Sequence, residues 1–204
     1  IEMTDLRKTV AIVGVDESDE IGKVPDKSNL THHADAAYNA LEDAGMSIKD
    51  VNGLFTAGTS TLNLAEYLGI EPSFTDTTAV GGSSFIIHIA HAMAAINAGY
   101  CDVALVTHGE AGRSRRSRPG GDPADPGSQF ELPYGFIGAP INYAMAARRY
   151  MHEYGEEYAR QGMAEVAVAT RKWAQLNPKA YMKDDMSFDD YHNCLLYTSD
   201  AADE

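Results

Sequence analysis

The residues Gly81-Gly82-Ser83-Ser84 stand between a β-rich run, Phe74 to Thr78, and an apolar helical run, Phe85 to Asn97. A turn that opens a helix presents N–H groups without intrahelical acceptors, and these favour negative charge. Ser83 and Ser84 could donate there to an oxyanion, and Ser83 could serve as a nucleophile. The competing expectation is a helix N-cap, the position serine prefers. The turn is no phosphate loop, because both G-x-G-x-x-G and G-x-x-x-x-G-K are absent. His108 and Glu110 follow a second apolar run, Val103 to Val106, at the strand end where α/β sheets place ligands. They are candidates for acid–base work. Tyr134, in LPYGF, could present a phenol, or could pack beside Pro133 and Gly135. Arg113, Arg115, Arg116 and Arg118 cluster in an otherwise acidic chain, either to meet an anionic group or as a solvated loop face. His88 and His91 lie three apart on the apolar run, a weaker zinc spacing than four apart. Hydrogen-bonded core or interface histidines are the expectation for them. His32-His33, at a helix start, has the same weakness as a metal pair.

The elements that must position these groups follow from periodicity. Thr9 to Val15 is short, apolar and β-branched, and reads as a first, central strand. Leu30 to Ala44 places Ala34, Ala37, Leu41 and Ala44 at helical spacing, and Gly45 stops it. Gly53 to Thr56 is a second strand, Thr59 to Leu68 a second helix, and Phe74 to Thr78 a third strand. Phe85 to Asn97 is apolar almost all round, the pattern of a helix buried on every side. Gly99 ends it, and Val103 to Val106 returns as a strand covered on both faces. The alternation predicts an α/β fold with a mostly parallel sheet and helices on its faces. Beyond Glu110 the texture changes: Ala111 to Gln129 reads as a long loop, then Phe136 to Tyr154 and Glu157 to Leu176 as helices broken by Gly155.

The net charge of −14 over 204 residues argues against a nucleic-acid partner, which needs a basic face. No run is long enough to span a membrane, no signal-peptide pattern opens the chain, and a cytoplasmic setting is expected. Two cysteines, Cys101 and Cys194, are too few for a disulfide framework. The last stretch, CLLYTSDAADE from Cys194 to Glu204, back-translates into a sequence resembling the transposase-end adapter of DNA library preparation. It is expected to be adapter-derived rather than native, against the alternative of an ordinary polar tail. Cys101 is then the one native cysteine.

VGGSSFIIHIAHAMAAINAGYCDVALVTHGE resembles the active-site strand–helix–strand of the thiolase superfamily. MHEYGEEYARQGMAEVAVATRKWAQLNPKAYMKDDMSFDDY resembles the stretch that follows it in the sterol-carrier-protein, lipid-transfer type, with Tyr154-Gly155 and Asn177-Pro178-Lys179-Ala180 as landmarks. The resemblance covers nearly all of residues 7 to 193 and is to the N-terminal half. It implies a βαβαβαββ half with an inserted helical cap: a core over residues 1–110, a loop and cap segment over 111–193, and the artefact over 194–204. It also implies acetyl-CoA acetyltransferase-like acyl-CoA chemistry in lipid metabolism, with a coenzyme A thioester as substrate and no tightly bound cofactor or metal. A homodimer paired through the core-sheet edge and a zinc-ribbon/OB-fold partner are further implications.

In that family a cysteine at the buried helix's N-terminus is the nucleophile, its thiol acidified by the helix and deprotonated by a histidine. Alignment puts that position at Gly82, with Ser83 beside it, and neither is cysteine. Cys101 lies about 28 Å away by helical rise. Thiolysis is thus put in doubt. Retro-aldol cleavage of a β-hydroxyacyl thioester remains open, because it needs a base and an oxyanion site rather than a covalent nucleophile. Gly81, Gly82, Ser84, Arg113, Arg115 and Arg116 are the expected substrate contacts; Ser83, His108 and Tyr134 are the expected catalytic groups. A non-catalytic acyl-CoA or lipid-binding scaffold is the alternative. The fragment by itself is expected to be inactive and prone to aggregate.

Overall fold

Leu54 and Phe55 are neighbours in sequence, both fully buried, and point to opposite faces of one sheet. They belong to β1 (Gly53–Phe55), the middle of three parallel strands, with β2 (Phe74–Asp76) on one side and β3 (Ala104–Val106) on the other. Gly53 is in register with Phe74 and with Ala104. The computed structural model describes residues 6–114, 126–136 and 138–193. The adapter-like tail, Arg115, Arg116 and Arg118 lie outside the described residues.

Two helices cover the Leu54 face: α1 (Asn29–Asp43) and α2 (Thr61–Leu68). Ala34, Ala37 and Leu41 of α1, Leu64, Ala65 and Leu68 of α2, and Leu105 of β3 form one core with Leu54. Ser28 caps α1 through a reciprocal pair with Thr31, and Gly69 ends α2 at φ +71°. The Phe55 face carries one helix, α3 (Ser84–Asn97), through Ala92, Ala95 and Cys101. Gly99, at φ +75°, follows its last turn, as expected.

Helices on both faces of a parallel sheet, together with a helical segment, give a thiolase-like α/β fold. Two expectations fail within this unit. Residues 9–15 form no strand, and Ile12, Val13 and Val15 are exposed. Local bonds hold the end of that segment to α1 instead: Val15 N–H donates to Asp43 at 3.0 Å, and Gly14 lies so close that a Cβ would meet the Ala40 carbonyl at 2.1 Å. The middle strand of the described sheet is Gly53–Phe55, not Thr9 to Val15. The α3 helix, moreover, is buried on one face only, with Ile86 71% exposed and Ile89 40%.

The chain divides into two compact units, Ile1–Arg116 and Ser117–Glu204. The second is helical: α4 (Pro126–Glu131), α5 (Gly138–Tyr154), α6 (Glu156–Leu176) and α7 (Phe188–His192). The expected loop from Ala111 to Gln129 is therefore interrupted by α4, which Pro126 can open because a first-turn N–H is dispensable. Gly155, at φ +96°, separates α5 from α6. Ala159, Ala164 and Val168 are the buried residues of α6, whereas Val166 and Trp173 are exposed.

Candidate functional site

The carboxyl end of β2 is built into a turn by its own side chains. Asp76 accepts from the Thr78 amide and the Thr78 hydroxyl, both at 2.7 Å, and pairs with His91. Burial pushes the Asp76 carboxyl up, but the Thr78 and His91 bonds outweigh it and hold the group below the usual carboxylate range. Thr78 in turn presents its carbonyl to His88 Nε2 at 2.9 Å. His88 is fully buried, and its Nδ1 has no partner. With Nε2 as the donor, Nδ1 is an unsatisfied buried acceptor. The expectation of a satisfied core histidine is thus half met. His91 instead is a partly exposed ion-pair partner.

Gly81 follows at φ +74°, a conformation that glycine adopts without strain. Gly82 opens onto free space: a Cβ there would meet nothing within 4 Å. Ser83 occupies the N-cap position of α3, but in an αR conformation and without a side-chain cap bond. The predicted capping role passes to Ser84, whose buried hydroxyl accepts from Val80 N–H at 2.9 Å and donates to the Gly81 carbonyl at 2.6 Å. Ser84 is therefore committed to the turn, while the exposed Ser83 hydroxyl makes no cap bond.

Phe85, in the first turn of α3, joins this turn to His108: their ring centroids lie 4.5 Å apart. His108 is half-exposed, with Nε2 3.7 Å from Glu110. Its other neighbour is His33 of α1, at 6.2 Å and edge-on. His33 is fully buried between the hydroxyls of Thr107 (3.3 Å) and Thr59 (3.1 Å). Burial, then the charges of His108 and His32, lower its pKa to about 4, so it stays neutral at pH 7. His108 and Glu110 also line a cavity of about 530 Å³ between residues 14–22, α1 and the end of β3. Sequence reasoning missed that cavity and its polar wall, in which Ser18 bridges His32 and Asp35, each at 3.0 Å. The charged Lys27–Asp35 pair beside it gave no sequence signal, because its members belong to a loop and a helix face.

The structure thus brings Ser83, Ser84 and His108 together through Phe85. Tyr134 belongs to the second unit, in a single 3₁₀ turn, and is 89% exposed. Arg113 is exposed in the turn after β3. Cys101 is buried after α3's far end, where burial and Asp102 raise its thiol pKa, the reverse of activation. Among the described residues no group of three or more His, Cys, Asp or Glu is placed to hold a metal ion. Nor is any helix among them long and apolar enough to cross a membrane.

The chain is 35% identical over 183 residues to the 17-hydroxy-3-oxo-4-pregnene-20-carboxyl-CoA lyase of Mycobacterium tuberculosis, a match covering 84% of this chain and 47% of the relative. It is 34% identical over 194 residues to the steroid side-chain-cleaving aldolase of Thermomonospora curvata, covering 88% and 48%. An acetyl-CoA acetyltransferase of Methanothermobacter thermautotrophicus is 26% identical over 191 residues, covering 85% and 47%. Among solved structures, the Ltp2-ChsH2(DUF35) aldolase superposes with a TM-score of 0.76 at 31% identity, covering 90% of this chain and 48% of that one. The monomeric SCP2-thiolase like protein type 1 of Mycobacterium smegmatis shares the fold at a TM-score of 0.63 and 22% identity, covering 87% and 37%. No protein-family model matches the chain. The fold and these relatives define a thiolase/SCP2-type superfamily protein. Within that superfamily it is related to steroid-CoA lyases and aldolases. The chain spans about half the length of the relatives it matches.

Proposed function

We propose that the protein carrying this chain acts on an acyl-CoA thioester by carbon–carbon cleavage rather than by transfer through an acyl-cysteine. The observation that carries this reading is the turn before α3. It has the exposed glycine, the serine and the helix N-terminus of a thioester site, and no thiol. The first-turn N–H groups and Ser83 would hold the thioester oxygen as enolate charge develops. His108, beside that turn through Phe85 and backed by Glu110, is the base proposed for the β-hydroxyl proton. The neutral, fully bonded His33 adds no positive charge beside it at pH 7, so His108 can stay unprotonated. Tyr134 and the Arg113, Arg115 and Arg116 cluster are proposed as a second phenolic base and as contacts for the coenzyme A phosphates. The two lyase relatives support the reaction class, and the aldolase structure with its DUF35 component supports an OB-fold partner. A homodimer in the cytoplasm completes the proposal.

The test is to assay the uninterrupted gene product with acetoacetyl-CoA and with a β-hydroxyacyl-CoA, with and without the partner. Cleavage of the second alone is the expected result. Thiolysis of the first at an ordinary enzymatic rate would overturn the reading. Binding of acyl-CoA without turnover of either would leave the non-catalytic scaffold, which the missing thiol also favours.

A further inference from the structure

Helix α6 carries two apolar stripes. One is covered, through Ala159, Ala164 and Val168. The other runs through Gly162, Val166, Ala169, Trp173 and Leu176 at spacings of four, three, four and three, the seam repeat of paired helices. It is bare: Val166 is 67% exposed, Trp173 74% and Leu176 75%. The stripe is also arranged symmetrically about Ala169. Seven residues before it stands Gly162, where a Cβ would meet nothing within 4 Å. Seven residues after it stands Leu176, each about 10.5 Å from Ala169 along the axis. A cavity of about 380 Å³ opens at Gly162, lined by Tyr150, Tyr158, Met163 and Val166. The helix thus has a hole at one end of its seam and a projecting leucine at the other, equidistant from a small residue. The flanking charges obey the same symmetry. Glu165, which accepts from Gln161 at 3.2 Å, lies four residues before Ala169, and Lys172 lies three after it.

We infer that the bare stripe of α6 docks on α6 of a second copy of this chain, antiparallel across a two-fold axis at Ala169. The two-fold places each Leu176 in the other copy's Gly162 cavity and each Trp173 over the other's Val166. The two Ala169 residues meet where small side chains allow the helices to close, and each Glu165 faces the other copy's Lys172. An isologous contact requires a patch complementary to itself. A surface shaped for an unrelated segment has no reason to pair its own hole with its own knob and its own acid with its own base. The seam is short, burying on the order of 1,000 Å² in total, so a reversible dimer of roughly micromolar affinity is expected. This contact stands apart from the acyl-CoA reading and from pairing through the sheet edge.

Sedimentation velocity of the chain, from low micromolar to several hundred micromolar, tests it alongside Glu165→Lys, Lys172→Glu and an equimolar mixture of the two variants. The wild type is expected to dimerise. Each swap places like charges opposite one another at two symmetric points and is expected to weaken the dimer about tenfold or more. The mixture is expected to restore it as a heterodimer, because every facing pair is again opposite in sign. Ala169→Cys is expected to give a disulfide-linked dimer under mild oxidation, since the two positions meet on the axis. A wild type that stays monomeric at the highest concentration overturns the inference. So does a dimer indifferent to both swaps, which would use another surface, or a mixture that fails to reassociate. All three positions are exposed, and circular dichroism confirms that the variants keep their helices.

Discussion

The two faces of the sheet are built from the same three strands and end in different states. On the Leu54 face two helices close over a core that runs from α1 through β1 and β3 to α2, and the apolar side chains there are almost fully withdrawn from water. On the Phe55 face a single, more apolar helix seals a small core of Phe55, Ala92, Ala95 and Cys101 and leaves Ile86 and Ile89 in solvent. The first face is finished by this chain alone. The second holds the glycine turn, the unsatisfied Nδ1 of His88 and the bare side of α3. Stability is concentrated on one face and candidate chemistry on the other. Such a division is expected where a site must keep polar groups uncommitted, because those groups cost free energy when nothing binds them.

That contrast can be broken by truncating one side chain on each face. Leu64→Ala removes a fully buried side chain from the finished face, and a loss of about 3 kcal/mol is expected in urea unfolding. Ile86→Gln on the bare side of α3 should change stability by less than about 0.5 kcal/mol and reduce self-association. A cost for Ile86 equal to that of Leu64 would show that the two faces do not differ.

The histidines sharpen the same comparison. His33 belongs to α1, on the finished face, and its pKa is lowered to about 4, so the unfolded chain binds more protons than the folded one between about pH 6.5 and pH 4. Its contribution is present above pH 6.5 and lost as pH falls towards 4, up to roughly 3 kcal/mol. A series of unfolding curves across that range should show the loss, and His33→Gln should flatten it. A slope unchanged in the variant would assign the acid sensitivity to other groups. His88, on the open face, has one bond to lose: His88→Phe leaves the Thr78 carbonyl without its donor, and about 1–2 kcal/mol is expected from the same measurement.

The smallest expected effect on stability compares the two ends of α3. Gly82→Cys adds a side chain where there is free space and should cost little. Its thiol lies at a helix N-terminus, whereas Cys101 is buried past the other end with its pKa raised. Iodoacetamide at neutral pH should label the new cysteine in the native protein and leave Cys101 untouched. Equal labelling of both would remove the distinction between the ends.

Much of this architecture was legible in the residues. Gly69, Gly99 and Gly155 mark helix ends because the chain needs positive φ there, and the observed helices lie within a residue or two of the periodic runs. The glycine turn before α3 was legible for the same reason. The role of each serine was not, because the hydroxyl that bonds the turn depends on where Val80 N–H and the Gly81 carbonyl come to lie. His33 read as half of a weak metal pair; its neutrality comes from Thr59 and Thr107, distant in sequence and close in space.

The sequence alone determined the order of strands and helices, since hydrophobic period and backbone preference are local properties. It also determined that no cysteine stands at the start of α3. Only the tertiary structure decided that Thr9 to Val15 lies on α1 instead of in the ladder, and which faces of α3 and α6 are covered. An apolar side chain records that burial is favourable, but which neighbour buries it is fixed by packing in three dimensions.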